Sequence, residues 1–345
     1  MRPLRDVVLE VTNACNLRCG HCGSTSGRPR ADELSFEEIA RILREVRALG
    51  CEELTVIGGE ALIRPDWSEI GAAVVDLGMR LVLITNGLLI GEPERARLRE
   101  LRPFIVGVSV DGASPETYRR MRGVDGFDRV MDLLHRLCDD GHPNVNAITT
   151  FTRANLGELE RFAELFDRTP IVWQVQLANM GGERFRPEEM MSREDYAGFV
   201  ERMRAVWTAR WGTLRLSPMD DFGYHPLDAT LASMCGSWRG CMAGREVLGI
   251  RSNGDVLGCL SLGDGFVEAN LRLEPLERIW RSETLFSRFR RKRELLTGEC
   301  AHCAHGSDCL AGCSAMASSL GELGCNPYCI RSIETERLLQ EIASI

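Results

Sequence analysis

The spacing of fourteen cysteines constrains this 345-residue chain more than any other feature. Three lie at 15, 19 and 22. Only Cys51 and Cys138 occupy the next two hundred residues, and nine then fall between Cys235 and Cys329. The start, Met-Arg-Pro-Leu-Arg-Asp, leads into only a short apolar stretch, Val7 to Leu9, so no signal peptide is expected. No apolar run approaches the ~18 residues of a membrane span. Such a chain is expected in a reducing cytoplasm, without contact to membranes, where thiols stay free. Metal ligation is then the leading use for so many cysteines. The balance of 42 basic against 50 acidic residues, net −8, speaks against a general nucleic-acid binder. A local basic run, Arg288, Arg290, Arg291, Lys292 and Arg293, reads as a solvated helix face.

The first two-thirds alternate between strand-like and helix-like segments. Strands are expected at Val7–Val11, Glu53–Ile57, Arg80–Thr85, Phe104–Val110, Val145–Thr150 and Ile171–Leu177, each short, rich in Val, Ile or Leu, and close to a turn signal. Such near-continuous apolar strands suit a parallel sheet buried on both faces. Ser35 with Glu38 forms a capping box before a helix that stops at Gly50, and Asn155 and Ser192 with Asp195 mark further helix starts. Six strand–helix units in series give an α/β fold, either an open doubly wound sheet or part of a β/α barrel. In the tail, Val247–Ile250 and Val256–Cys259 flank an Asn253-Gly254 turn, as in a β-hairpin, and a helix is expected around Pro275–Arg291. After Thr297 the chain is rich in Gly, Cys, His and Ala, with little regular pattern. A region of this kind buries little apolar area and needs staples, which metal would supply.

Cys15, Cys19 and Cys22 follow the first strand directly. Structural zinc wants four closed ligands and a [4Fe–4S] cube usually takes four cysteines. Here three come from one loop, and Cys51 lies at the far end of the next helix. The simplest inference is a cluster with one iron open to a non-protein ligand. His21 completing a zinc site is the alternative.

These residues resemble the radical S-adenosylmethionine superfamily, whose Cys-x3-Cys-x2-Cys loop follows the first strand of a partial, TIM-like (β/α)6 barrel. The resemblance extends along the chain. Gly58-Gly59-Glu60 ends the second strand where the family has Gly-Gly-Glu-Pro, a motif receiving the methionine amino group; Ala61 replaces the proline. Thr85-Asn86-Gly87 ends the third strand, and Ser109 and Asp111 end the fourth. Arg122 resembles an arginine that contacts the cofactor carboxylate. His21 takes the place of an aromatic residue that packs on adenine. The resemblance thus implies a cofactor site at Gly58, Gly59, Glu60, Asn86, Ser109, Asp111, Arg122 and His21, with the cluster on Cys15, Cys19 and Cys22. These residues lie at the C-terminal ends of strands, where barrel sites are built.

The tail pattern runs from Cys241 through Gly254, Cys259, Cys300, Cys303, Cys309 and Cys313 to Cys329. It resembles the SPASM domain, which carries two auxiliary [4Fe–4S] clusters. That resemblance assigns Cys235, Cys241, Cys259 and Cys313 to one cluster and Cys300, Cys303, Cys309 and Cys329 to the other, with Cys325 competing for the last place. A pair of zinc sites is the alternative reading. The barrel would span 1–217 and the cysteine-rich hairpin, loop and helix domain 218–345, with a bridge about 218–234. His302 and His305 read as exposed loop residues.

The resemblance implies three [4Fe–4S] clusters, S-adenosylmethionine and one electron from flavodoxin or ferredoxin. A 5′-deoxyadenosyl radical would then abstract hydrogen from the substrate. Relatives with this tail mostly modify ribosomally made peptides by crosslinking, oxidation or epimerisation. The chain starts almost at its first strand, which suggests a separate peptide-recognition protein. A small-molecule dehydrogenase or epimerase and a multi-zinc interaction protein are the other readings. The sulfatase-maturing branch has an aspartate after the third auxiliary cysteine; Leu260 and Ser261 follow Cys259 here. Asp220, Asp221, Asp264 and Glu183 are candidate bases. Cys51, Cys138 and Cys325 are left as core thiols or hydrogen-atom donors.

Overall fold

The computed structural model describes residues 3–219 and 224–344. Its strands are β1 (Asp6–Glu10), β2 (Glu53–Ile57), β3 (Arg80–Thr85), β4 (Ile105–Ser109), β5 (Val145–Phe151), β6 (Val172–Leu177), β7 (Arg215–Pro218), β8 (Val247–Ile250), β9 (Asp255–Leu257) and β10 (Val267–Asn270). They form one sheet in the order β10-β9-β8-β1-β2-β3-β4-β5-β6-β7. All neighbours from β8 through β7 pair in parallel, while β8–β9 and β9–β10 are antiparallel.

Parallel neighbours need crossovers, and helices supply them. Those used below are α1 (Phe36–Ala48), α2 (Trp67–Asp76), α3 (Glu92–Leu101), α4 (Pro115–Arg122), α5 (Phe127–Asp139), α6 (Leu159–Phe166) and α7 (Arg193–Ala209). Ser35 and Glu38 close the expected capping box on α1, and Ser192 and Asp195 do the same on α7. Helices and sheet enclose an apolar layer in which Trp173 on β6 meets Phe151, Phe162 and Phe166, all essentially unexposed. Each such side chain contributes roughly 1.5–3 kcal/mol by leaving water.

Side chains from β1 through β6 line a single cavity, which a flat sheet cannot arrange. The sheet is therefore curled into an open barrel with β7 and β10 at its edges, and the choice left open by periodicity falls to the barrel. Two features differ from the sequence expectation. The tail hairpin joins the barrel sheet, β8 lying parallel to β1 from Asp6↔Val247 to Leu9↔Ile250. The helix expected across Pro275–Arg291 is two pieces, Leu276–Arg281 and Ser287–Arg290, divided at Ser282 and at Phe286, whose φ is +60°. Among the described residues no helix is long and apolar enough to cross a membrane.

Candidate active site

The cavity, about 350 Å³, opens at the C-terminal ends of the strands. Its wall begins with the loop after β1, which brings Cys15, Cys19, His21 and Cys22 to one side. Hydrogen bonds brace this loop throughout. Glu33 accepts from Thr12 Oγ1 at 2.8 Å and Asn13 N at 2.7 Å. Arg184, from the segment after β6, donates to the carbonyls of Cys19 at 3.3 Å and Ser26 at 2.8 Å. Arg30 forks onto buried Glu10 at 2.9 and 3.2 Å, and Glu10 also accepts from Ser252 of the tail hairpin at 2.8 Å.

Gly58 and Gly59 let the end of β2 approach this loop. Gly59 N donates to Thr12 O at 2.7 Å and Glu60 N to Ala14 O at 2.8 Å. A Cβ on Gly59 would lie 2.3 Å from Ala14 O, and one on Gly58 2.6 Å from Thr12 O. The pair thus docks backbone on backbone, leaving a cradle bare of side chains beside the thiols.

Gly58, Gly59, Asn86, Ser109 and Arg122 line the cavity with His21. Glu60 and Asp111 stand one layer behind. Glu60 is fully enclosed and accepts from Thr85 Oγ1 and Asn86 N, both at 2.7 Å, and from Leu62 N at 3.3 Å. Burial raises its pKa against these donors. The Glu60 carboxylate ties β2 to β3. Asp111 accepts from Arg122 Nη1 and His21 Nε2, each at 3.0 Å, and from Thr150 N at 2.7 Å. Burial pushes its carboxyl up, but Arg122 and His21 outweigh that and hold it below the usual carboxylate range. Asp111 therefore aims two cavity residues and does not itself line the cavity. Asn155 stands at a helix start as expected, before the turn Leu156–Glu158, but its side chain makes no cap bond and donates to the carbonyls of Asp111 and Thr150 at 3.0 Å each.

Burial raises the Cys15 thiol to about 11, with Glu60, Cys19 and Cys22 adding to it, and raises Cys19 as well. Ligation requires these groups as thiolates. Among the described residues no three Cys, His, Asp or Glu side chains converge on one point, as a lone tetrahedral ion at Cys15, Cys19, Cys22 and His21 would need. A four-iron cube sets its ligands around a larger body, so Cys15, Cys19 and Cys22 lining one cavity beside a bare backbone cradle fit a cube better than a single zinc.

The tail also contributes to the wall, through Cys259, Leu260 and Ser261. One expected auxiliary ligand thus borders the cavity that holds the first three. Beyond Leu260 lies a polar outer chamber of about 360 Å³, where Glu183 and Asp264 are found; Asp264 is ion-paired with Arg251 at 2.6 Å. Asp220 and Asp221 lie outside the described residues. Arg184, Gln174 and Gln176 also line the inner cavity and escaped the sequence reading. Their signal was present: Val-Trp-Gln-Val-Gln-Leu alternates, with the glutamines on the barrel's inner face.

In the far tail, Cys300, Cys303, Cys309, Cys325 and Cys329 act on one another electrostatically, Cys325 lying against Cys300. Burial raises Cys300 to about 12 and Cys309 to about 11. Cys235 is pushed to about 12 by burial, with Glu334 adding. Cys51 is wholly enclosed and donates to Glu53 O at 3.0 Å, and Cys138 packs on the core from α5; neither borders the cavity. His302 is exposed, while His305 is half-buried and stacks on His225 at 4.4 Å.

Comparison with known proteins agrees with this geometry. The radical SAM superfamily model matches residues 9–166, and the SPASM model, an iron–sulfur cluster-binding domain, matches residues 241–304. Mycofactocin maturase MftC of Mycobacterium ulcerans (strain Agy99) is 29% identical over 344 residues, covering 96% of this chain and 89% of its own. The AdoMet-dependent heme synthase of Methanosarcina barkeri (strain Fusaro / DSM 804) is 30% identical over 343 residues, covering 94% and 96%. In fold, the chain superposes on Streptococcus suis SuiB bound to S-adenosylmethionine with a TM-score of 0.76 at 20% identity, covering 94% of this chain and 76% of that one.

Proposed function

The chain belongs to the radical S-adenosylmethionine superfamily with an iron–sulfur SPASM extension, and on that premise we propose that it modifies a ribosomally made peptide after hydrogen abstraction. One observation carries this reading. Cys15, Cys19 and Cys22 line a cavity that the tail segment Cys259–Ser261 also lines, and a polar chamber shares Gly23, Ser24 and Leu260 with it. MftC, named a maturase, is similar over nearly the whole chain. The heme synthase matches equally well, so a small molecule is the second reading.

The three loop cysteines would hold one [4Fe–4S] cluster and the two tail sets would hold two more. Held by Cys15, Cys19 and Cys22, such a cluster would supply one-electron reducing chemistry toward S-adenosylmethionine and so the means of hydrogen abstraction. The protein binds, orients and excludes water. Arg122, always protonated and steadied by Asp111, offers a fixed positive charge to the cofactor carboxylate. Ser109 and Asn86 offer hydrogen bonds, and Asn86 is itself fixed by Asn16 at 2.8 Å. Backbone at Gly58 and Gly59 receives the amino group, while Glu60 keeps that strand end in place. Gln174 and Gln176 face the substrate side. Glu183 and Asp264, in the outer chamber, suit substrate contact better than proton transfer at the reacting carbon. The enzyme would work in a reducing cytoplasm, draw electrons from flavodoxin or ferredoxin, and receive its peptide from a separate recognition protein.

The test is mass spectrometry of a small peptide, encoded beside the gene, after co-expression. A loss of two hydrogens marks a crosslink or dehydrogenation, and unchanged mass with deuterium uptake from solvent marks epimerisation. Formation of 5′-deoxyadenosine with every such peptide unaltered would transfer the reading to a small molecule.

A further inference from the structure

The basic run at Arg288–Arg293 is solvated only in part: Arg288, Arg291 and Arg293 are exposed, but Arg290 and Lys292 are not. Arg290 is half-buried over Trp280 and Phe286, and Lys292 is only 1% exposed. Lys292 Nζ donates to Gly312 O at 3.2 Å and to Ser314 Oγ at 2.9 Å, gripping the chain on both sides of Cys313. Both acceptors are neutral. Among the described residues no carboxylate pairs with this ammonium; the groups its charge meets are Cys241, Cys313, Cys309 and Cys300.

A buried ammonium without a counter-charge costs several kcal/mol. As thiols the four cysteines provide none. Metal ligation would make all four anionic. Two of them, Cys241 and Cys313, belong to one proposed cluster, and Cys300 and Cys309 to the other. The backbone between the sets carries a second sign of constraint. Leu310, Ala311 and Gly312 run consecutively left-handed, with φ of +55°, +53° and +62°. For the two non-glycines this is a sterically disfavoured conformation. Such a run persists where its surroundings fix it, and Lys292 holds its last carbonyl.

We propose that Lys292 is a positioning residue shared by the two auxiliary clusters: its ammonium is their common counter-charge, eases their reduction, and fixes the chain where it crosses from Cys309 to Cys313. The inference rests on the assignment of the tail cysteines to two clusters. Charge and hydrogen bonds near the sulfurs set the potentials of such clusters, so removing a buried cation makes reduction harder.

The experiment is a redox titration, followed by electron paramagnetic resonance, of full-length reconstituted K292M and K292R beside the parent. S-adenosylmethionine identifies the first cluster's signal and leaves the auxiliary signals to be followed. In K292M the reduced-to-oxidised ratio of an auxiliary cluster should fall at least tenfold at fixed potential, about 59 mV for one electron. K292R should stay near the parent. If K292M loses its clusters by iron and sulfide content while K292R keeps them, the charge is needed for assembly, as proposed. Unchanged potentials in a fully loaded K292M would overturn the inference, as would loss of the clusters in both variants, which marks a demand for shape alone. A parent protein with only one cluster's worth of iron would instead refute the tail assignment on which the inference stands.

Discussion

The loop carrying Cys15, Cys19 and Cys22 and the tail from Gly298 to Cys329 offer the same ligand atom from two different mechanical settings. The loop is tied to the barrel by protein alone: Glu33 and Arg184 hold its backbone, Glu10 and Arg30 close its base, and Gly58 and Gly59 lie against it. The tail has helices of five, four and six residues, Gly298–His302, Gly306–Cys309 and Ser314–Ser319. Helices so short do not persist on their own. A left-handed run joins two of them, and a buried lysine has no carboxylate partner among the described residues. In the loop the fold prepares the site, whereas in the tail the site must help prepare the fold.

Ways to break that contrast can be ranked by size. Replacing Cys15, Cys19 and Cys22 together by alanine should remove 5′-deoxyadenosine entirely by chromatographic assay while leaving thermal unfolding nearly where it was. A collapse of the barrel in that variant would show that the loop needs its metal too. Replacing Cys309 and Cys313 by alanine should cost the tail several kcal/mol, since ligand binding there is also folding energy. Hydrogen exchange over 298–329 would rise by orders of magnitude, with β1 to β6 unchanged. Continued protection of the tail would erase the contrast.

The loop side is sharpened by Asp111→Asn, which strands buried Arg122 and should cost about 3–5 kcal/mol by denaturant unfolding. The folded pKa of Asp111 is depressed, so its stabilisation is fully present above the unfolded value of about 3.9 and is lost as pH falls through the folded value. Below pH 4 the variant and parent should therefore converge, and a constant gap down to acid would count against this pairing. The smallest effect belongs to Arg184→Met: about 1–3 kcal/mol of charged hydrogen bonding is lost from the loop backbone. It should appear as a raised KM for S-adenosylmethionine with the auxiliary clusters unchanged; equal loss at all three clusters would mean that the loop is not separately braced.

Much of the barrel was legible because its signals are local. Val-, Ile- and Leu-rich runs beside turn residues located β1 to β6 within a residue or two, and the capping boxes at Ser35 and Ser192 located two helix starts. The parallel pairing of β8 with β1 was hidden, since a hairpin read by itself carries no sign of which edge it joins. β7, four residues ending in Pro218, is too short for periodicity to register. In the site, residue types at strand ends were readable, but the division into wall and support was not. Glu60 and Asp111 lie on the same motifs as Gly59 and Ser109, and only geometry shows that their oxygens are spent on neighbours. Lys292 is the extreme case: a lysine in a basic run looks solvated until the chain folds cysteines around it.

The central claim is a cube on three protein thiolates with one corner left for S-adenosylmethionine. Electron paramagnetic resonance of the anaerobically reduced holoenzyme, with and without S-adenosylmethionine, tests it most directly. One cluster signal should change on adding the cofactor and be absent from the protein lacking Cys15, Cys19 and Cys22, while the auxiliary signals remain. Signals indifferent to the cofactor, or zinc without acid-labile sulfide, would contradict the account.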